Sequence, residues 1–431
     1  MAIQTTQINN RITLVTEEMP GLQSAVMGFF IGTGSRYENK KQQGLTHLIE
    51  HMFFKGTIKK SAQDISRKVE SLGATIDGFT SKEIAGMYFH YLAENFEQLF
   101  DLFFEIKQEV EIDEQELEKE KSVILQEITE SYENPQEYAY QLLTEIMFPD
   151  HPLSFPVGGT PETIKSFTRD DLIQEYQLNS MNRHVCISVA GKVNHTQILD
   201  KLISANFNQL PQGQVTPPDK PPHNIERAMI FQSRPDLKQV HTLVGFLTIP
   251  LKDKRRYALT VLNNIIGGTQ SSRANQVLRE QEGLFSTVFT FLDLYSDIGL
   301  WCSYHISDIK NREKALMTAF GEVIKLKKGG ITKEEFTRSV NYCKGMLALA
   351  NEDPGSRMNR NAQNVLLVGN PVSVEESITA FDNLTFDYVN SLVEMFEMEK
   401  YSAAIVGPIT KQDLGKIGVA PVKIIEKENK I

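Results

Sequence analysis

Residues 44–57 read GLTHLIEHMFFKGT and bring His47, Glu50 and His51 within five positions of one another. Read as a helix, the stretch sets His47 and His51 one turn apart on one face, and Glu50, three residues after His47, shares it. Two imidazoles so placed clamp a tetrahedral zinc ion, and the carboxylate between them reaches a water on the metal. The order H-x-x-E-H is the reverse of H-E-x-x-H. With 9 histidines in 431 residues, chance supplies fewer than about 0.03 such patterns. That rarity outweighs the blander reading of two locally hydrogen-bonded helix histidines beside a surface glutamate.

The length of 431 residues exceeds one ordinary core and predicts two to three domains. Apolar residues make up 41% and charged residues 23%, ordinary for a globular protein in water. A net charge of −10 leaves no basic excess for neutralising phosphates, so no nucleic-acid partner is expected. Cys186, Cys302 and Cys343 are scattered without paired spacing, which points to neither a disulfide framework nor a thiolate metal site. The opening MAIQTTQINNRITLV has neither the charged-then-apolar build of a signal peptide nor the arginines of a transit peptide. No stretch approaches the ~20 apolar residues that span a bilayer. The expectation is a soluble, cytoplasmic chain with no membrane partner.

Outward from the motif, the first half alternates strand-like and helix-like runs. Ser24–Ile31 (SAVMGFFI) is an apolar strand, Ser61–Leu72 an amphipathic helix closing at Gly73, and 74–80 with 85–92 a hairpin. Two long helices follow over 95–110 and 113–132, the second strongly acidic, before the buried strand 184–190. The second half repeats the order. Gly28-Phe29-Phe30 corresponds to Gly245-Phe246-Leu247, and Phe167-Thr168 to Leu384-Thr385, both at an offset of 217. The strand ending at Gly191 corresponds to the one ending at Gly407, an offset of 216. Such agreement predicts an internal duplication. The expected class is α+β: two homologous α/β sandwich domains, each a mixed, largely antiparallel sheet with helices packed on it. The expected division is a metal-bearing domain over 1–212, a proline-rich linker over 213–224 and a second domain over 225–431. No histidine lies between His241 and His305, so the second domain cannot carry the histidine pair at the equivalent helix.

A two-histidine zinc site needs a third protein ligand and an open position for water. Glu127, 76 residues after His51 and flanked by Ile124, Leu125 and Ile128, is the candidate. Glu120 stands two helical turns earlier on the same face, suited to orienting a ligand from behind. Both also fit a solvated acidic helix face, a reading that weighs more on Glu120 than on Glu127.

These motifs together resemble the pitrilysin, or inverzincin, family of zinc peptidases (M16), in particular its short-chain branch related to mitochondrial processing peptidase. The resemblance runs over essentially the whole chain. It rests on GTGSRYE (32–38), GLTHLIEHMFFKGT (44–57), FTSKE (79–83), EKEKSVILQEI (118–128), HPL (151–153), IKSFTRDDL (164–172), LREQEGLFS (278–286) and YSDIGL (295–300). It implies His47, His51 and Glu127 as zinc ligands, Glu50 as general base and Glu120 as a second acidic group near the metal. It also implies a chamber closed by pairing, as a homodimer or a heterodimer with a related chain. A peptide substrate would add as a strand along Asp77, Gly78, Phe79 and Thr80.

Two positions depart from the family pattern. The family commonly has Asn-Ala-Phe-Thr where this chain has Asp77-Gly78-Phe79-Thr80, and Asp77 lacks the amide donor. In the second half the family pairs an arginine with a tyrosine seven residues later, both directed at the substrate. Arg279 matches, but Ser286 stands at the tyrosine position. A zinc-dependent endopeptidase is thus the first reading. The alternatives, both favoured by Ser286, are a subunit that supplies zinc but needs a partner chain, and a non-catalytic interaction subunit, which the His-His-Glu set opposes. A zinc-binding protein without catalysis is weaker still, because Glu50 is the base an open coordination position would use.

Overall fold

Ser24–Ile31 is apolar at nearly every position, and such a strand needs cover on both faces of its sheet. How the chain supplies that cover decides its architecture. The structure, a computed structural model, describes residues 3–108, 110–207, 215–223, 225–311, 314, 323–397, 399–415 and 423–427.

The chain begins with β1 (Ile3–Gln7), β2 (Ile12–Glu18), β3 (Ser24–Ile31), α1 (Leu45–Met52), the small hairpin β4 (Gly56–Thr57) and β5 (Lys60–Ser61), and α2 (Ala62–Ser71). Next come β6 (Thr75–Thr80), β7 (Ala85–Leu92), α3 (Phe96–Gln108), α4 (Glu114–Glu133), α5 (Pro135–Met147), α6 (Pro161–Ser166), α7 (Arg169–Asn182), β8 (Val185–Gly191) and α8 (His195–Ser204). The second half gives β9 (Ala228–Ser233), β10 (Gln239–Thr248), α9 (Arg256–Asn263), β11 (Phe285–Leu294) and β12 (Gly299–Asp308). It ends with α10 (Lys333–Ala350), α11 (Pro354–Gln363), α12 (Val374–Asp382), α13 (Phe386–Ser391), β13 (Tyr401–Gly407), α14 (Lys411–Gly415) and β14 (Lys423–Glu426).

Two six-stranded sheets form, in the orders β1-β2-β8-β3-β7-β6 and β11-β12-β10-β13-β9-β14. Taken from its far end, the second repeats the first. The β2–β8 and β9–β13 pairs are parallel, and the three strands beyond each pair are antiparallel. The outermost strand differs: β1 is antiparallel to β2, whereas β14 is parallel to β9. Thr168 and Thr385 cap α7 and α13 at their N-termini, at the spacing the sequence repeat anticipates. The chain is an α+β protein built on two similar mixed six-stranded sheets rather than a parallel α/β fold.

The compact units are not the continuous halves expected with boundaries at 212 and 225. One comprises Met1–Thr129, Phe155–Asp219 and Ala348–Val374; the other comprises Glu130–Ser154, Lys220–Leu347 and Glu375–Ile431. The physical reason is the second face of each sheet. In the first unit one face packs on Ile65 and Val69 of α2, Leu99 and Phe103 of α3 and Leu202 of α8. The other face buries Val26, Phe30 and Cys186 against Met358 and Ala362 of α11, a helix from the far half of the sequence. Polar contacts fix that helix: Ser188 Oγ donates to Met358 O at 2.8 Å, and Arg357 Nη1 lies 2.7 Å from Glu17 Oε1 in a buried ion pair. In the second unit α9 covers one face. Leu142, Leu143 and Met147 of α5 cover the other, against Leu243, Cys302 and Ala404.

The two lent helices start alike, with Asn134 then Pro135 and with Asp353 then Pro354, a side-chain N-cap followed by proline in the first turn. Their seats are alike too. A Cβ on Gly28 would come within 2.8 Å of Met358 Sδ, and one on Gly245 within 2.7 Å of Met147 Sδ. The paired glycines that reveal the repeat are where each helix presses a methionine onto a sheet. Part of the expected linker (213, 214 and 224) lies outside the described residues. Within it, the carbonyls of Thr216 and Asp219 accept from Arg183 Nη1 (2.6 Å) and Arg36 Nη2 (3.0 Å). Among the described residues, no helix is long and apolar enough to cross a membrane.

Candidate metal centre

Helix α1 buries Leu45, Leu48, Ile49 and Met52, which turns His47, Glu50 and His51 to its other side. Its first residue follows Gly44, which offers no side chain to the open N–H groups of a helix start. Glu38 takes that role, its carboxylate accepting from Gly44 N at 2.9 Å and Thr46 N at 2.8 Å. Burial pushes the Glu38 carboxyl up to about 7, against the pull of those two N–H bonds.

The two imidazoles meet edge to face with ring centroids 4.6 Å apart. Helix α4 is anchored by Leu117, Ile124 and Ile128 and brings Glu127 to them. Glu127 Oε2 lies 3.7 Å from His51 Nε2 and 3.9 Å from His47 Nε2. All three donor atoms lie within 4.8 Å of one another, and His47, His51 and Glu127 form the group among the described residues that could hold a metal ion. Ligands about 2.0–2.2 Å from a tetrahedral zinc sit about 3.3 Å apart. Each measured separation therefore needs to close by only about half an ångström.

His51 Nδ1 donates to Glu120 Oε2 at 2.9 Å, which leaves the Nε2 lone pair directed at Glu127. The other Glu120 oxygen lies 2.6 Å from Lys55 Nζ. His47 Nδ1 is buried with no hydrogen-bond partner among the described residues. Burial, with the neighbouring His51, lowers the His47 pKa to about 4, so the imidazole stays neutral and able to ligate near neutral pH. The donor set fits zinc: two imidazoles, one carboxylate and a fourth position.

Glu50 lies beside this group without being one of its donors. Thr80 Oγ1 donates to Glu50 Oε2 at 3.1 Å. Burial raises the Glu50 pKa, partly opposed by His51 and by the Thr80 bond. Strand β6 approaches so closely that a Cβ on Gly78 would lie 2.6 Å from Glu50 Oε1 and 2.8 Å from the Phe54 ring. Of the four expected edge residues, Gly78 and Thr80 thus face α1. Asp77 and Phe79 lie on the opposite face, Phe79 against Phe30 with centroids 5.7 Å apart.

Arg279 belongs to the second unit, on the helical turn Ala274–Gln281, half-exposed and 3.8 Å from Glu280. Ser286, near the start of β11, accepts from Gln239 Nε2 at 3.2 Å and donates to Ile306 O at 3.4 Å. Two residues of the first unit's centre escaped sequence reasoning. Lys55 had a weak signal: it follows His51 by four residues, just past the end of α1. Glu38 closes the GTGSRYE motif, but its capping role gave no signal, because it caps from a loop outside any periodic segment.

A family model described as Insulinase (Peptidase family M16) matches residues 13–161, and one described as Peptidase M16 inactive domain matches 166–342. An uncharacterized zinc protease of Bacillus subtilis, YmxG, is 33% identical over 400 residues, covering 93% of this chain and 97% of that protein. The chain belongs to peptidase family M16. The M16 chain is also 30% identical to an uncharacterized zinc protease of Mycobacterium leprae, over 94% of this chain and 91% of that one. Its fold matches a solved protease from Helicobacter pylori with a TM-score of 0.87 at 19% identity, covering 94% and 99% of the two chains. It also matches a Pseudomonas fluorescens structure described as a peptidase M16 inactive domain, with a TM-score of 0.86 at 18% identity over 95% and 99%.

Proposed function

We propose that this M16 chain is a zinc-dependent endopeptidase that cleaves peptides or unfolded segments. The observation that carries the reading is the convergence of His47 Nε2, His51 Nε2 and Glu127 Oε2 beside Glu50, at the edge strand β6. His47, His51 and Glu127 would hold a zinc ion, which would supply an acidified water and polarise a carbonyl. Glu50 takes the proton of the attacking water and delivers it to the leaving amine. Its raised pKa suits that exchange, since a base working near neutral pH needs a proton affinity above that of an ordinary carboxylate. Glu120 holds the His51 ring in one tautomer, and Lys55 holds Glu120.

The substrate lies along β6, the last strand of its sheet, by strand addition. Arg279 contributes a contact to the substrate in a chamber completed by a second chain, identical or related. Neither nucleic acid nor a membrane takes part. A cytoplasmic location is in keeping with Cys186, Cys302 and Cys343 being buried and unpaired.

Ser286 favours a second reading, in which this chain supplies the metal and a partner supplies the missing tyrosine. The test is hydrolysis of a quenched fluorescent peptide library by the purified chain, with and without a chelator. Chelator-sensitive cleavage supports the self-sufficient enzyme. Zinc bound at one equivalent with no cleavage supports the partner-dependent subunit.

A further inference from the structure

Strands β6 and β7 are antiparallel with Thr75 opposite His90 and Thr80 opposite Ala85. The hairpin continues to Ser81, whose N–H donates to Ile84 O at 2.8 Å. Ser81 and Ile84 therefore form a hydrogen-bonded pair. Antiparallel ladders alternate hydrogen-bonded with non-hydrogen-bonded pairs, so Gly78, three residues away, is of the second kind opposite Met87. Its N–H and C=O turn away from β7. Because β6 ends its sheet, they face the free edge, beside Glu50.

The Gly78 N–H is already engaged. Asp77 Oδ1 accepts it at 2.8 Å, and Asp77 Oδ2 accepts from Tyr88 OH at 3.1 Å. Asp77 and Tyr88 are direct cross-strand partners, so the tyrosine holds the carboxylate over the edge. A peptide adding as a strand must offer a backbone carbonyl to the amide that Asp77 occupies.

We propose that Asp77 sets the substrate preference of this edge: its carboxylate covers the Gly78 amide and yields it most readily to peptides carrying lysine or arginine at the residue facing Asp77. This rests on the docking edge assigned under the peptidase reading. A carboxylate only accepts hydrogen bonds. Displaced by a neutral strand, it loses the amide and gains nothing; displaced by a strand bearing a cation, it gains a charge-assisted bond. Side chains alternate between faces along a strand, so the docked residue opposite Asp77 projects onto the Asp77 face, away from α1. An acidic residue there meets like charge. Asparagine at position 77 would keep an oxygen for the Gly78 amide and remove the charge, so the two effects separate by mutation.

The experiment is fluorescence anisotropy with labelled extended peptides in which one lysine, or one glutamine as its neutral control, is moved along the sequence. The zinc-loaded Glu50→Gln protein is compared with the same protein carrying Asp77→Ala or Asp77→Asn. We expect lysine at one position to tighten binding about two- to fivefold, the range of an exposed ion pair, and the gain to shrink with added salt. Both Asp77 variants lose that gain, and Asp77→Ala alone binds the glutamine peptides more tightly. No binding of any peptide to the folded, zinc-loaded protein overturns the proposal, as does a lysine preference that both variants retain. Hydrolysis by the wild type is measured beside it. Asp77-dependent binding without hydrolysis would sink the self-sufficient peptidase reading and leave this inference standing. Hydrolysis with binding indifferent to Asp77 would do the reverse.

Discussion

Glu120 Oε2 accepts the Nδ1 proton of His51 at 2.9 Å, and the same carboxylate is tied at 2.6 Å to Lys55. His51 is thereby fixed with Nε2 toward Glu127. Such outer partners typically account for about 10–100-fold in metal affinity. Glu120→Ala should weaken zinc binding by about that factor, read by competition with a chromophoric chelator, while the fold is unchanged. Unaltered affinity would reduce Glu120 to one more charge on an acidic helix.

Glu38 gives a pH dependence with a definite sign. Its carboxyl is raised from 4.5 to about 7 in the folded chain. The folded state therefore holds a proton that the unfolded state releases as pH rises above about 4.5. The stability this contributes is complete below the unfolded pKa, falls as pH rises, and is gone above about 7. Glu38→Gln stays neutral throughout. The stability difference between wild type and Glu38→Gln should shift against the wild type by up to about 3 kcal/mol from pH 4.5 to pH 7. Denaturant midpoints across that range measure it, and a constant difference would contradict the assignment.

The exchanged helices make the sequence halves interdependent. Residues 1–212 alone would carry α5 without the sheet it covers, and would leave Val26, Phe30 and Cys186 without Met358 and Ala362. A buried leucine or methionine contributes about 1.5–3 kcal/mol, and a domain's whole margin is about 5–15 kcal/mol. Either half expressed alone should be insoluble or lack a cooperative transition, and coexpression should restore soluble protein. A half that unfolds cooperatively by itself would contradict the account.

Much of this was legible in the sequence where the signal is local. His47, Glu50 and His51 declare themselves because a helix brings i, i+3 and i+4 together whatever surrounds it. Glu127 was legible through its apolar neighbours, and the duplication through Gly28 and Gly245. The destination of α5 and α11 was not legible: Asn134-Pro135 and Asp353-Pro354 announce helix starts but not which sheet the helix will cover. Glu38 was equally hidden, because a carboxylate capping a helix from six residues upstream leaves no periodic trace. Asp77 showed as a departure from a family pattern, and its grip on the Gly78 amide appeared only with the strand register.

In the proposed hydrolysis Glu50 moves the proton while His47, His51 and Glu127 hold the metal. Glu50→Gln tests it most directly, with zinc content and peptide turnover measured on the same preparation. The expected result is one zinc per chain, as in the wild type, with turnover reduced by about 10²–10⁴-fold. Turnover near the wild-type level in the zinc-loaded variant would contradict it.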